Sequence, residues 1–525
     1  MREMQRRATS KAERARIGKE TSSHNIFNAF AKDGMPLSDQ KYGIFHLSPP
    51  ELLHTTYEGI TEYMLDTLSE MLGTAGKIDG KDPRDVLDNL HRHFYSKMSR
   101  NSDRDMPRGA SRSSLLRDTL IGATERRGNL FILLCIAHTE TAYEHLYPHL
   151  RELGVDPQEF LDCLKLYLSM EEWFHSSNPI TEVKAARDLI SDCLVLVQEI
   201  FKREGGNEWN LPKMHGLTKM QYFMCLYGSG INFFGGPGES NHKKFVKDTG
   251  NNTQCRIDSF CSQVALRFYE TSLFEIAKAA SDKLDSERYR RVGKENDSVN
   301  MNMSGRYRLI VHGLTPAGNV EGYHCRWDVD NHKKNECDIH NDFLNTVCKH
   351  AFENGWRSKF VVKGVTCLKI MVGDVPDQID VLFRCTPEVY GERSWFDWCL
   401  LKYQQGNEDQ LFPAKLLGIF KYETDGIIDN QNENDGGDGL MACVHTSSEP
   451  LDMDQWRSDF VTRFSLGKKY QHDTSVDDSH LTVVPITSIH HPLFVFENSG
   501  GGIDEYLTVL PRREWARYFG SKIKV

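Results

Sequence analysis

The chain has 525 residues and a formal net charge of -10 at pH 7. A hydrophobic content of 39% with 26% charged residues is ordinary for a globular protein and excludes a wholly disordered chain. The negative balance excludes a uniformly basic nucleic-acid binder, so any contact with nucleic acid must come from local basic patches. The longest uninterrupted apolar run, residues 130–137, is shorter than the roughly 20 residues that cross a bilayer, so no membrane association is expected.

The N-terminus and the cysteines together indicate an intracellular protein. Residues 1–40 are polar, carry several Arg and Lys residues mixed with Glu, and lack the apolar core of a signal peptide, which predicts a disordered basic arm. The 13 cysteines are scattered, and none forms a CxxC pair. Dispersed cysteines without a secretion signal predict reduced, mostly buried thiols.

Helical periodicity dominates from residue 41 to residue 282. Ser48-Pro-Pro-Glu51 is typical of a helix start, in which Ser48 caps the helix and Glu51 closes a capping box. Later helices are predicted over 130–147, 157–174 and 181–201, and another follows the turn at 249–252. Three apolar stripes are predicted on these helices: Leu53, Tyr57, Ile60, Met64 and Leu68; Phe160, Leu161, Leu164 and Leu168; and Ile257, Cys261, Val264, Phe268 and Leu273.

Composition changes near residue 285. Residues 283–304 are charged and rich in asparagine, which predicts a linker. Beyond it, short β-branched segments separated by turn residues predict a small β-barrel or sandwich over 305–525. The strand segments are 307–311, 360–362, 368–372, 381–383, 398–401, 416–420, 481–485 and 493–496. The fold class is therefore predicted to be α+β and multidomain, with a helical domain at 41–282 and a β-rich domain at 305–525.

One turn concentrates the candidate chemistry. Gly235-Gly-Pro-Gly238 is followed by Glu239 and then by three lysines, Lys243, Lys244 and Lys247. A carboxylate surrounded by lysines suits a metal ion beside a phosphate backbone. An acid in the first turn of a helix also complements the helix dipole, so an ordinary helix start is the alternative.

Two histidine-containing groups are candidate metal sites. Glu239 and His242 share a helix face, His215 lies nearby in sequence, and imidazole with carboxylate suits zinc or manganese. Cysteines and histidines are also dense between His324 and His350. Residues 341–348, however, predict an amphipathic helix that places Phe343, Leu344, Val347 and Cys348 in the core. Neither group therefore predicts a metal site on its own.

Several segments, in this order, resemble the CACTA-like transposases of the Plavaka and KDZ groups. The resemblance covers roughly residues 40–525 and is carried by 44–54 with Gly59, 211–220, 235–242, 394–399, 412–418 and 483–496. It implies a ribonuclease-H-like DDE nuclease, in which three carboxylates hold two Mg²⁺ or Mn²⁺ ions. Glu239 would be the third carboxylate, residues 55–205 a helical insertion, and Glu51-x-x-His54 the family's Asp/Cys-x-x-His element. A nuclear location is implied in the same way.

The first two catalytic aspartates of that family precede the x-x-His element. Here only Asp33 and Asp39 do so, and neither lies in a strand-like context. We therefore expect a transposon-derived, catalytically incomplete protein with residual binding of DNA or of a protein. The predicted phosphate contacts are Lys243, Lys244, Lys247, Arg126 and Arg127, with a second basic loop at 104–112. Two alternatives remain open: an active nuclease completed by an upstream or partner segment, and a protein-interaction module in the β-rich domain.

Overall fold

A computed structural model gives the structure of most of the chain. The described residues are Ser10, Glu13, 49–77, 80–97, 114–116, 122–176, 183–238, 246–251, 253–254, 256, 258–292, 303–314, 320–327, 341–355, 360–373, 378–389, 393–405, 408–423, 439–467, 480–497 and 505–523. Apart from Ser10 and Glu13, the predicted N-terminal arm lies outside the described residues, and so do the 104–112 loop and Glu239.

Helices occupy most of the described chain before residue 293. They are α1 (Leu53–Thr61, a π-helix), α2 (Glu62–Thr74), α3 (Pro83–Lys97), α4 (Ala123–Ala137), α5 (Glu140–His145), α6 (Tyr147–Glu152), α7 (Pro157–His175), α8 (Val183–Ile200), α9 (Pro212–Leu217), α10 (Met220–Tyr227), a 3₁₀ turn (Gly230–Phe233), α11 (Asp248–Asn251) and α12 (Phe260–Val292). The stripes predicted from Leu53 and from Phe160 are buried, as expected. None of these described helices is long and apolar enough to cross a membrane.

Strands dominate the described chain after residue 302. They are β1 (Met303–Leu314), β2 (Val320–Trp327), β3 (Phe360–Val372), β4 (Ile379–Val389), β5 (Arg393–Phe396), β6 (Trp398–Gln405), β7 (Glu408–Glu423), β8 (Met441–Thr446), β9 (Val461–Ser465), β10 (Leu481–Pro485), β11 (Ile489–Glu497) and β12 (Glu505–Val509), with helices α13 (Asn341–Glu353), α14 (Met453–Asp459) and α15 (Arg512–Ile523). All described pairings are antiparallel, in the order β2-β1-β3-β7-β6-β11-β12-β9 with β4, β5, β8 and β10 at the sides. The predicted α+β class is confirmed.

The chain divides into two compact units, each built from several segments. Unit 1 contains Met1–Tyr63, Phe174–Leu194 and Arg203–Val299, and unit 2 contains the rest. Helices α3 to α6 and nearly all of α2 therefore belong to the same unit as the strands. The division predicted at 41–282 and 305–525 instead follows the order of the chain. Helix α12 continues to Val292, into the predicted linker, because no Gly or Pro interrupts it before Gly293.

Helix α13 covers one part of the sheet in unit 2. Its side chains Phe343, Leu344 and Val347 are buried in one apolar cluster with residues of β1, β3, β7 and β8. This confirms the predicted amphipathic helix. Cys348 lies in the same cluster, as predicted, and burial raises the pKa of its thiol to about 12.

The cysteines follow the sequence-based expectation with one departure. Ten are free thiols, and most of these are buried. Cys325, on β2, is disulfide-bonded. The expectation of reduced cysteines is therefore wrong for Cys325.

An aromatic core joins α4 to the last strands and to α15 in unit 2. The ring of Phe131 lies 5.7 Å from that of Phe494 and 5.6 Å from that of Trp515, between centroids. Trp515 also stacks on Phe460 at 5.5 Å. Such pairs add to the free energy of apolar burial, so the early helices and the last 30 or so residues stabilise one another.

Buried ion pairs cross the same region. Arg127 of α4 is 3% exposed, and its guanidinium lies 3.1 Å from Glu171 and 2.5 Å from Glu172 of α7. Arg512, at the start of α15, lies 2.9 Å from Glu172. Burial of Glu172 favours its neutral form, but the two arginines outweigh that effect and lower its pKa. The structure thus gives Arg127 a structural partner, which removes it from the surface on which a phosphate contact was predicted.

Replacing Arg127 by methionine tests this network. The substitution leaves Glu171 and Glu172 buried without their main counter-charge, so we expect the free energy of unfolding to fall by about 3–5 kcal/mol. The measurement is urea unfolding at neutral pH. Arg517→Met is the control: Arg517 is half-exposed and pairs with Glu514, so it should cost no more than about 1 kcal/mol. Equal losses in the two variants would contradict the network's importance.

Candidate functional site

The carboxylate of Glu51 lies at the start of helix α1 in unit 1. It accepts hydrogen bonds from the backbone N–H groups of Leu53 (2.7 Å) and His54 (2.9 Å). The first N–H groups of a helix have no partner within the helix, so an anion at this position satisfies them and complements the dipole. Glu51 therefore caps α1 with its own side chain. Ser48, the other half of the predicted capping box, lies outside the described residues.

The Gly235 turn meets the same carboxylate. The backbone N–H of Gly235 donates to Oε1 of Glu51, although the two residues are 184 positions apart. A Cβ at Gly235 would lie 2.6 Å from the Glu51 carboxyl carbon, a distance that real Cβ atoms do not show. Any larger residue here would displace the Glu51 carboxylate, so glycine allows the close approach of the predicted turn to its partner.

The segment 211–220 joins this arrangement through α9. Lys213 Nζ donates to the backbone carbonyl of Glu58 at 2.6 Å. The backbone at Glu58 departs from helical geometry, with φ -89° and ψ 19°, inside the π-helical α1. A Cβ at Gly59 would lie 2.7 Å from Lys213 Cδ, so this glycine lets the lysine pass close to the helix. π-Helical turns of this kind are frequent at functional sites.

His54 is held between two carboxylates. Its Nδ1 lies 2.5 Å from Glu51 Oε2, and its Nε2 lies 3.6 Å from Glu58 Oε2. Partial burial of Glu51 raises its pKa, but the bonds from His54, Gly235 and Leu53 together outweigh burial and lower it. An ionised Glu51 thus fixes the orientation of an imidazole that remains half-exposed. Such a histidine can donate a hydrogen bond to a phosphate oxygen.

A second residue of α1, Tyr57, pairs with a histidine of α7. Tyr57 of α1 is buried, and its hydroxyl lies 3.0 Å from Nε2 of His175. Ser229 Oγ donates to the His175 carbonyl at 3.2 Å, and the ring of Phe234 packs edge-on against Tyr57 and His175. Sequence reasoning missed His175, because nothing in the local pattern marks a contact across 118 positions.

The other predicted site residues do not gather around Glu51. His215 is exposed at the end of α9 and contacts Asn210 (3.0 Å), so it does not join His54. Lys247 is exposed in unit 1, and Arg126 is partly buried in unit 2. Four further predicted site residues lie outside the described residues: Glu239, His242, Lys243 and Lys244. Within the described part of the chain, no group of three or more His, Cys, Asp or Glu side chains is placed to hold a metal ion.

Comparisons with protein-family models, with curated proteins and with solved structures find no match to this chain. The resemblance to CACTA-like transposases is therefore carried by the motif segments alone. It stays a hypothesis.

Replacing Gly235 by alanine tests the contact between the turn and α1. The added methyl group displaces the Glu51 carboxylate, so we expect faster hydrogen exchange at the amides of Leu53, His54 and Gly235's neighbours. Gly238→Ala is the matched control, because a Cβ at Gly238 meets nothing within 4 Å. Exchange that rises equally in both variants would show that the turn and helix are not coupled through Glu51.

The same contact should depend on pH. Because the folded-state pKa of Glu51 is lowered, its stabilising effect is complete above the ordinary value of 4.5 and is lost as pH falls through the lowered value. Protection of the Leu53 and His54 amides should therefore decline in acid in the wild type. Glu51→Gln should remove this acid dependence, and a variant that kept it would assign the titration to another group.

Proposed function

We propose that this protein is a transposon-derived DNA-binding protein that resembles the C-terminal part of a DDE transposase and lacks a complete catalytic centre of its own. The observation that carries the proposal is the hydrogen bond from Gly235 to Glu51. It joins the x-x-His element to the turn that leads to Glu239. If these segments resembled the family only by chance, there would be no reason to expect a contact between them.

The path of the chain supports the same interpretation. The chain leaves unit 1 at Tyr63 and, apart from Phe174–Leu194, returns to it at Arg203. Both ends of an inserted domain must lie near each other in the domain that receives the insertion. The contact of α9 with α1 meets that requirement, since Lys213 reaches the carbonyl of Glu58. The resemblance places a helical insertion at 55–205, and the described elements there are helices.

The number of available carboxylates favours binding over catalysis. Two-metal phosphodiester chemistry needs several carboxylates around the ions. Within this chain the resemblance supplies Glu239. Glu51 is engaged by three backbone N–H groups and by His54, so it could take up a metal ion only by giving up the contacts that hold the turn. Glu51 is therefore a positioning residue in this proposal.

Local basic residues supply the DNA contact. Lys243, Lys244 and Lys247 follow Glu239 at helical spacing, and the described member of this set, Lys247, is exposed. Lysines bind the phosphate backbone without reading its sequence, and each neutralised phosphate adds to the salt dependence of binding. The overall charge of -10 restricts this attraction to the surface that carries them.

A second candidate is an active nuclease whose remaining carboxylates come from another polypeptide. The orientation of His54 by Glu51 is compatible with it, because an imidazole fixed in this way suits a reacting phosphate as well as a bound one. Mg²⁺ or Mn²⁺ would then be held by Glu239 with the partner's carboxylates and would activate the attacking oxygen. Only an experiment with the metal present separates the two candidates.

DNA binding can be tested by salt titration of the full chain with a fluorescent duplex. We expect binding at low salt that weakens steeply as salt rises. Replacing Lys243, Lys244 and Lys247 by glutamine should lower the affinity at least about tenfold and reduce the slope of log K against log salt by about three. The charge-matched control replaces the exposed residues Lys77, Lys184 and Lys219 by glutamine. No binding at low salt, or equal effects of the two triple variants, would contradict the proposal.

Catalysis can be tested by incubating supercoiled and linear DNA with the protein and Mg²⁺ or Mn²⁺. We expect no metal-dependent cleavage from the chain alone. The variant Glu239→Gln, assayed in parallel, identifies the source of any cleavage that is seen. Metal-dependent cleavage that disappears in this variant would overturn the incomplete centre while leaving the DNA-binding proposal intact.

A further inference from the structure

Helix α12 in unit 1 carries an unusual concentration of exposed apolar side chains. The described residues include 17 exposed large hydrophobic side chains, and six of these lie between Leu266 and Ile276. The helix touches the rest of its unit near its first turns, where Phe260 and Val264 pack over Gly250. From Ala265 to Ser281 nearly all its side chains are exposed. The predicted stripe of Val264, Phe268 and Leu273 is therefore not a core face along its whole length.

Four of the exposed side chains form a regular seam. Leu266, Tyr269, Leu273 and Ile276 are 57%, 60%, 48% and 65% exposed. Their spacing of three, four and three residues is that of the inward positions of a coiled coil. Ala280 continues the same spacing for another step. Apolar side chains at this spacing fall on one line along a helix and are matched in shape by a second helix that carries the same line.

The residues beside the seam bear on the identity of the second helix. Ala265, Ser272, Ala277 and Ala279 are small and uncharged, which allows close approach and places no like charges opposite one another in a parallel self-pair. The charged exception, Glu270, is engaged by Arg267 of its own helix at 2.9 Å. Coiled coils that select a different partner generally do so through charges at these positions. The positions beside the seam of α12 carry no such pattern of charges, which favours a second copy of this chain as the partner.

The exposed area fits a weak, concentration-dependent pair. The four seam residues each present on the order of 100 Å² of exposed side chain. Two copies would therefore bury roughly 800 Å² through these side chains alone, which is the size of a small, transient interface.

We propose that α12 pairs with α12 of a second copy of this chain through the seam of Leu266, Tyr269, Leu273 and Ile276. The pairing removes apolar surface from water and makes the protein a dimer in solution. It rests on the geometry of one helix and is independent of the proposed transposase ancestry and of DNA binding.

The test is the molar mass of the full chain, measured by sedimentation or light scattering over a wide concentration range. We expect a dimer for the wild type. Leu273→Glu places a charge in the seam and should weaken association at least about tenfold. Thr271→Glu is the matched control, because it adds the same charge on the opposite side of α12, and it should leave the dimer intact.

Circular dichroism of both variants checks that they remain folded, and Leu273→Ser gives a second, uncharged disruption of the seam. A wild type that is monomeric at all concentrations would overturn the proposal. So would a dimer that survives both Leu273 substitutions, because association would then use another surface. If Thr271→Glu weakened the dimer as much as Leu273→Glu, the seam would not be the surface that holds the dimer together.

Discussion

A single ionised carboxylate joins two distant segments of unit 1. Glu51 satisfies the first N–H groups of α1, fixes the imidazole of His54 and accepts the N–H of Gly235. Neutralising it would weaken all of these bonds at once, because charge-assisted hydrogen bonds are roughly twice as strong as neutral ones. Their combined effect is visible in the lowered pKa of Glu51 despite its partial burial. The distant turn is therefore held by the same charge that begins the helix.

In unit 2 the buried charges form a network of ion pairs between helices. Arg127, Glu171, Glu172 and Arg512 are placed where three helices meet beside the aromatic core of Phe131. Taking these charges out of water is costly, and their mutual attraction offsets the cost only while the geometry is kept. Such a network adds little net free energy but strongly disfavours alternative packing of α4, α7 and α15. The apolar contacts provide the stability of this region, and the ion pairs fix its arrangement.

The parts of this structure that the sequence predicts are those governed by local periodicity. The stripe from Leu53 to Leu68, the core side of α13 and the strand Leu481–Pro485 follow from repeats of 3.6 and 2 residues. Strands β2, β5, β8, β9 and β12 are not among the predicted segments. In β8 and β12 consecutive residues are buried, so an alternation of apolar and polar residues does not mark them. The two predicted strands at 360–362 and 368–372 are one strand, since Gly364 is tolerated within β3 opposite Tyr307.

What the sequence does not predict are the contacts between distant segments. Arg127 has the same local context as Arg126, yet only Arg127 is buried against two glutamates of α7. The resemblance supplied the order of Glu51, the 211–220 segment and the Gly235 turn, but not the hydrogen bonds that join them. No pattern in the sequence marks His175 as a partner of Tyr57. In each case the deciding interaction spans 40 or more positions, beyond the reach of any periodicity argument.

The two surfaces proposed in unit 1 reinforce each other physically. The lysine segment at 243–247 precedes α12 by about a dozen residues, so a pair of α12 helices brings two lysine segments into one particle. The second segment then binds DNA at the effective concentration set by the dimer, not at the bulk concentration. Weak, sequence-independent phosphate contacts gain the most from such linkage, because each one alone is easily displaced by salt. A dimer that binds DNA as proposed would thereby reach an affinity that one lysine segment alone would not provide.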